Sequence, residues 1–269
     1  MADYILEDIK HFNLAETLDC GQAFRWAKVE TKDGVAYTGI AHGRRLELFH
    51  DGKNITIKNC TQHEFDTTWA TYFDIGRDYA DLRIQLSGDE NLKNALAFSE
   101  GLRLIKQDPW ETLISFIFSQ NANIPRIKKM IAAFCESFGD KLPCGGFTFP
   151  APEKIVSLNV SDLDHIKSGY RAGFILDAAQ QVASKKVDIQ RLESVPTEVV
   201  REALLGIKGV GPKVCDCVLL YGFGRVECYP VDVWIKRIMD ELYPDGFPEM
   251  LLSQAGIAQL FLFQYVRNR

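Results

Sequence analysis

Residues 204–239, LLGIKGVGPKVCDCVLLYGFGRVECYPVDVWIKRIM, carry a lysine and an aspartate, Lys213 and Asp232, placed nineteen residues apart. Lys213 directly follows the turn Lys208-Gly209-Val210-Gly211-Pro212 between two helical stretches. Two glycines at i and i+2 let that backbone approach another surface closely. The turn leads into a helix N-terminus, where free amides and the positive dipole end favour a phosphate. Gly209, Val210 and Gly211 are therefore candidate phosphate contacts. The same dipole end disfavours an ammonium, which pushes Lys213 toward the neutral amine. A neutral amine is a nucleophile that forms a Schiff base with a carbonyl-like carbon. Asp232, in the setting Pro230-Val231-Asp232, caps the helix that follows. A carboxylate beside a sugar stabilises positive charge developing at its anomeric carbon. Each feature also has a plainer explanation: a packing turn between helices, a solvated lysine, a cap and nothing more. Chemistry requires that Lys213 and Asp232 meet at one sugar.

The bulk of the chain bounds what surrounds them. It has 269 residues, 46% hydrophobic and 25% charged, which suits one large or two ordinary globular domains. The net charge of −5 argues against a generally basic nucleic-acid binder, but a local basic face suffices for phosphates. Seven cysteines are scattered without a CxxC pair, and no histidine lies at metal-ligand spacing from one of them. No cysteine follows Cys228 to complete an iron–sulfur cluster. A reduced, intracellular chain with no metal and no cofactor is the expectation. The longest apolar runs, such as 217–221, are too short to span a membrane. The opening MADYILEDIKHF lacks a basic n-region, so no secretory signal is expected.

Turn signals at Asp33-Gly34, His42-Gly43 and Asp51-Gly52 recur nine residues apart, with short alternating stretches between them. That spacing predicts an antiparallel meander over residues 26–60. From about residue 62 the period lengthens toward that of helices. Asp108-Pro109-Trp110-Glu111 is a helix start, and the apolar run after it ends in the polar cluster Ser119-Gln120-Asn121-Ala122-Asn123. A second helix follows Pro125, a loop occupies 142–152, and helices resume near 153–158, 161–167, 171–185 and 197–206. The fold class is α+β: an N-terminal antiparallel β-sheet domain, residues 1–100, then an all-helical body, residues 101–269, containing a helix-hairpin-helix.

The stretch 205–237 resembles the helix-hairpin-helix DNA glycosylases, with their hairpin, lysine and downstream PVD aspartate. The resemblance narrows to the 8-oxoguanine DNA glycosylase/AP lyases through CGQAFRW at 20–26, QDPWETLISFIFSQNANIPRI at 107–127, GYRAGF at 169–174 and AGIAQLFLF at 255–263. These stretches span nearly the whole chain. The resemblance implies that Lys213 is the Schiff-base nucleophile and Asp232 its electrostatic partner. It implies that the Gly21 carbonyl accepts the N7 hydrogen that 8-oxoguanine has and guanine lacks. It places Cys217 and Phe263 on the two faces of the flipped base and Gln259 at its Watson–Crick edge. Cys217 lies four residues after Lys213, on one helical face with it. Asn121, Arg126, Tyr170 and Arg171 match the positions that fill the vacated space and hold the orphaned cytosine. Read without the resemblance, Arg126 is equally a phosphate contact and Tyr170 a core residue. Cys20, Cys135 and Cys215 are core residues. At Trp234, a candidate DNA contact, the family commonly has histidine; an indole offers an N–H and an apolar face but no chargeable group.

The implied enzyme is a bifunctional DNA glycosylase that flips out 8-oxoguanine opposite cytosine, displaces it with Lys213 and nicks the strand by β-elimination. Its partner is double-stranded DNA, with no membrane association, a monomeric state and a cytoplasmic, nucleoid-associated prokaryotic setting. The resemblance also allows a cation on the hairpin carbonyls, without a catalytic metal. Two alternatives stand beside it: a glycosylase for another damaged base, and a non-catalytic DNA-binding module. Gly21, Gln259 and Phe263 speak against the first, and the Lys213/Asp232 pair against the second.

Overall fold

The computed structural model describes residues 2–32 and 34–268. Five antiparallel strands, β1 (Tyr4–Leu6), β2 (Trp26–Glu30), β3 (Val35–Ala41), β4 (Arg44–His50) and β5 (Ile55–Ile57), form one sheet in the order β1-β5-β4-β3-β2. The meander expected over 26–60 is present. Its His42-Gly43 turn has positive φ at both central residues, 48° and 69°, as a tight hairpin between right-twisted strands requires. The Asp51 carboxylate accepts the amides of Lys53 and Asn54 at 2.8 and 2.7 Å and closes the next turn. Asp33, of the first expected turn, lies outside the described residues. β1 joins the sheet edge by pairing Tyr4 with Ile57 and Leu6 with Ile55. Alternation along β3 and β4 buries Tyr37, Ala41, Leu46 and Leu48 on one face.

Helices follow. The turns over 62–72 open on a Thr61/Glu64 capping box and include a π-wound segment, Phe65–Trp69. Helices Tyr79–Leu86 and Glu90–Phe98 come next, each capped by an aspartate, Asp78 and Asp89. Asp108 caps Pro109–Ser119 by accepting the Glu111 amide at 2.8 Å, and every residue from Pro109 to Phe118 except Glu111 is buried. Asn123 caps Ile124–Phe138 in the same way. The later helices are Arg171–Ala183, Thr197–Leu205, Pro212–Tyr221, Val233–Leu242 and Ala255–Arg267. None of the described helices is long and apolar enough to cross a membrane.

The chain divides into two compact units. One comprises residues 1–39, 46–106 and 226–269; the other comprises 40–45 and 107–225. In the first, Trp26, Trp69, Phe73, Leu48 and Ile57 form the core beside the sheet, and the Trp26 indole donates to the Tyr72 hydroxyl at 2.8 Å. Helix Ala255–Arg267 is buried along Ala255–Leu262 and packs on Glu90–Phe98. Tyr243 donates to Asp89 at 2.8 Å and Asn91 to the Leu242 carbonyl at 3.1 Å, so the last 44 residues are held by the first unit. In the second unit Phe118, Phe134, Ile175, Val218 and Leu219 make the core. All seven cysteines are free thiols, and Cys144 is exposed while the other six are buried.

Candidate active site

The hairpin belongs to the second unit. Helix Thr197–Leu205 ends at Gly206, and helix Pro212–Tyr221 begins with Gly211 as its cap and proline in its first turn. Between them Ile207 and Val210 are buried and anchor the turn. Gly209 has φ of 83° and lies flush against Phe174: a Cβ there would sit 2.2 Å from the ring. Only glycine meets both demands. Asp177 accepts the Lys208 amide at 2.8 Å, which bolts the turn to helix Arg171–Ala183.

Lys213 sits in the first turn of its helix and is partly exposed. Its Nζ donates to Ser119 Oγ at 3.4 Å and lies 5.0 Å from the centroid of the Phe116 ring. Both partners come from the last turn of Pro109–Ser119, which packs on the lysine helix. Cys217, one turn after Lys213, is 2% exposed.

Asn121, Tyr170 and Arg171 are brought together around one carbonyl, that of Gln120. Arg171 Nε donates to it at 2.9 Å, Arg171 Nη2 donates to it as well, and the Tyr170 hydroxyl donates at 3.4 Å. Asn121 donates to the Tyr170 hydroxyl at 3.0 Å, and the Arg171 guanidinium lies 4.7 Å from the Tyr170 ring centroid. Burial lowers the Arg171 pKa, with Tyr170 opposing that and Arg126 adding to it. Asn121 (φ 47°), Tyr170 and Arg126 remain exposed, whereas Arg171 is buried. The Gln120 side chain turns the other way and donates to the Gly209 carbonyl at 3.2 Å. Through Gln120 the hairpin and the Asn121/Tyr170 pair form one connected assembly within this unit.

The remaining candidates lie in the first unit. Asp232 caps Val233–Leu242 by accepting the Ile235 amide at 2.8 Å. Trp234 is 47% exposed, with the Arg237 guanidinium 5.5 Å from its ring centroid. Gly21 has φ of 96°, and its neighbour Gln22 fixes the loop: its amide donates to the Thr17 and Arg103 carbonyls and its oxygen accepts the Ile105 amide. Gln259 is buried, and its Oε1 has no hydrogen-bond partner among the described residues. Phe263 is partly exposed, one turn beyond Gln259, with the Arg267 guanidinium 5.9 Å from its ring centroid. Lys213 and Cys217 thus belong to one unit, and Asp232, Gly21, Gln259 and Phe263 to the other.

Ser119, Gln120 and Gln22 were not singled out by type or spacing. The first two open the polar run that ends an otherwise apolar helix; that abrupt change was the one available signal. Among the described residues, no group of three or more His, Cys, Asp and Glu is arranged to hold a metal ion.

Residues 4–113 match the family described as 8-oxoguanine DNA glycosylase, N-terminal domain, and residues 114–246 match the HhH-GPD superfamily of base excision DNA repair proteins. The chain is 32% identical to the N-glycosylase/DNA lyase of Saccharomyces cerevisiae, over 86% of this chain and 68% of that one. It superposes on MBOgg1, solved in complex with a low-affinity DNA ligand, with TM-score 0.92 at 41% identity, covering 100% of this chain and 96% of that one. It superposes equally, at 0.92, on Clostridium acetobutylicum 8-oxoguanine glycosylase/lyase in complex with double-stranded DNA containing cytosine opposite 8-oxoguanine. That relation carries 34% identity and covers 99% and 95% of the two chains.

Proposed function

Because this chain belongs to the 8-oxoguanine DNA glycosylase/lyase family of the HhH-GPD superfamily, we propose that it removes 8-oxoguanine paired with cytosine from duplex DNA and then cuts the damaged strand. DNA docks on the hairpin amides of Gly209, Val210 and Gly211, with Arg126, Lys128 and Lys129 beside the phosphates. The damaged nucleotide leaves the stack, as chemistry at its anomeric carbon requires. Asn121 and Tyr170 fill the space it vacates, and Arg126 holds the orphaned cytosine; Arg171, committed to the Gln120 and Ser168 carbonyls, joins it only by giving up those bonds. Trp234 lies against the backbone.

Cys217 and Phe263 are both contacts of the everted base. The Gly21 carbonyl accepts its N7–H; guanine would present a lone pair there and meet repulsion. Gln259 reads the Watson–Crick edge. Its Oε1, without a partner among the described residues, supports this role, since a buried acceptor left unsatisfied costs about 1–3 kcal/mol and gains from an incoming donor.

Lys213 Nζ then attacks C1′. The C1′–N9 bond breaks, and its electron pair leaves with the base. The Asp232 carboxylate stabilises the positive charge that develops on the sugar. The attached nitrogen loses a proton, the C1′–O4′ bond opens and a Schiff base results. Loss of a 2′ proton expels the 3′ phosphate and nicks the strand. The protein acts as a monomer.

The observation that carries this reading is Lys213 itself: a partly exposed lysine at a helix N-terminus, behind a hairpin whose shape only glycine permits. Borohydride trapping on a duplex with 8-oxoguanine opposite cytosine tests it. The protein should become covalently linked to DNA, and Lys213→Gln should not. A Lys213→Gln protein that still traps removes the nucleophile, and trapping only on duplexes with other lesions removes the substrate.

A further inference from the structure

We propose that Ser119 is a positioning residue for the Lys213 amine, aiming it through a hydrogen bond that the serine accepts. This rests on Lys213 being the nucleophile and adds the group that orients it.

Ser119 is the final residue of helix Pro109–Ser119. Its hydroxyl proton is already committed, because Oγ donates to the Phe116 carbonyl at 2.7 Å. A hydroxyl has one proton to give and two lone pairs. Toward Nζ, 3.4 Å away, Ser119 can therefore only accept. The distance is at the long end for a hydrogen bond; contacts of this kind shorten as substrate closes over an active site. Within its unit, Ser119 is the amine's hydrogen-bond partner.

The same helical turn supplies a second restraint. Phe116 precedes Ser119 by three residues and so shares its face. Its ring is buried, sits 5.0 Å from Nζ and is stacked on Tyr221 at 5.4 Å, with 13° between the planes. The ring is thereby fixed from both ends of the lysine helix. Together, the hydroxyl and the ring limit where the end of a long, flexible side chain can go.

The neutrality of the acceptor matters. A carboxylate in that place would add a full negative charge directly against the amine. A hydroxyl orients the nitrogen in either protonation state. Misplacing a reacting atom by about 1 Å costs on the order of 100-fold in rate, so a tether at the nitrogen acts on the chemical step rather than on DNA affinity.

The test is Ser119→Ala, with Ser119→Thr and Lys213→Gln alongside. Single-turnover excision and borohydride trapping on the 8-oxoguanine:cytosine duplex should both slow about tenfold in Ser119→Ala. Affinity for a duplex carrying a tetrahydrofuran abasic analogue opposite cytosine should stay unchanged. Ser119→Thr, which keeps the hydroxyl, should recover most of the rate. Wild-type rates in Ser119→Ala overturn the proposal. So does a loss of affinity as large as the loss of rate, or a folded Ser119→Thr as slow as Ser119→Ala. If Lys213→Gln abolishes trapping while Ser119→Ala is normal, only the serine's role falls; if Lys213→Gln still traps, the reading of the lysine falls first.

Discussion

Arg201 Nη1 donates to Asp216 Oδ1 at 2.5 Å and so joins helix Thr197–Leu205 to the helix that carries Lys213. The Asp216 side chain is only 16% exposed; burial raises its pKa, and the arginine opposes that rise. Removing the arginine strands a carboxylate. Arg201→Met should lower stability by about 2 kcal/mol in urea unfolding near neutral pH, less than for a fully buried pair because Arg201 is 30% exposed. Arg201→Met/Asp216→Leu should recover part of that loss. Equal stability of Arg201→Met and wild type would show that the pair contributes nothing.

Gly209→Ala faces two penalties at once. The φ of 83° is strained for alanine, and the added methyl meets Phe174 at 2.2 Å. The hairpin must move, and its amides with it. Thermal melting should show a loss of about 1–3 kcal/mol. Fluorescence anisotropy should show weaker DNA binding beyond what a population of unfolded protein explains. An alanine protein that binds normally would mean the hairpin is not the phosphate grip.

Glu16 provides a dependence on pH. It accepts the Gly101 amide at 2.8 Å, yet burial raises its carboxyl above the ordinary 4.5; the backbone bond opposes this and Glu100 adds to it. The folded state therefore holds the proton to higher pH than the unfolded chain does. Its contribution is complete below the unfolded value and is lost as pH rises through the raised one. Glu16→Gln keeps an oxygen for Gly101 but cannot titrate. Its melting temperature should fall less than that of wild type as pH rises from 4.5, and should be at or above wild type at neutrality. Parallel curves for the two proteins would refute this.

Trp234 is a built-in reporter. Trp26, Trp69 and Trp110 are buried, at 2%, 0% and 7% exposure, so the quenchable emission belongs to Trp234. DNA binding should change that emission, and Trp234→Phe should abolish the change. Because the indole carries no charge, the slope of log affinity against log salt should stay the same in Trp234→Phe. Lys129→Ala should reduce it by about one, as loss of one phosphate contact does.

Much of this architecture was legible in the sequence where local chemistry decides. Paired turn residues gave the hairpins from 26 to 60, and Asp108-Pro109 marked its helix start to the residue. β1 was not legible: three residues are too few to show alternation. Nor was the return of 226–269 to the first unit, since an apolar run in Ala255–Leu262 states that it is buried but not against what. The hairpin and its lysine were visible because glycine spacing and helix polarity are local. The partners Ser119 and Gln120 were not, because each acts on a residue about ninety positions away. Arg171 shows a further limit: its type announced a donor, but its acceptor is a main-chain carbonyl, which every residue but its own geometry leaves anonymous.

The order in which the chain emerges from a ribosome runs against the order in which its parts can be completed. Apart from the short stretch 40–45, the unit bearing Lys213 is continuous, from 107 to 225, and has all its residues available once those are synthesised. The sheet-bearing unit begins earlier but lacks Tyr243 and helix Ala255–Arg267 until those residues, too, have been synthesised. Nascent protein should therefore pass through a stage in which 107–225 can fold while the sheet-bearing unit stays open, its apolar strands dependent on chaperones or on how quickly the residues after 225 follow.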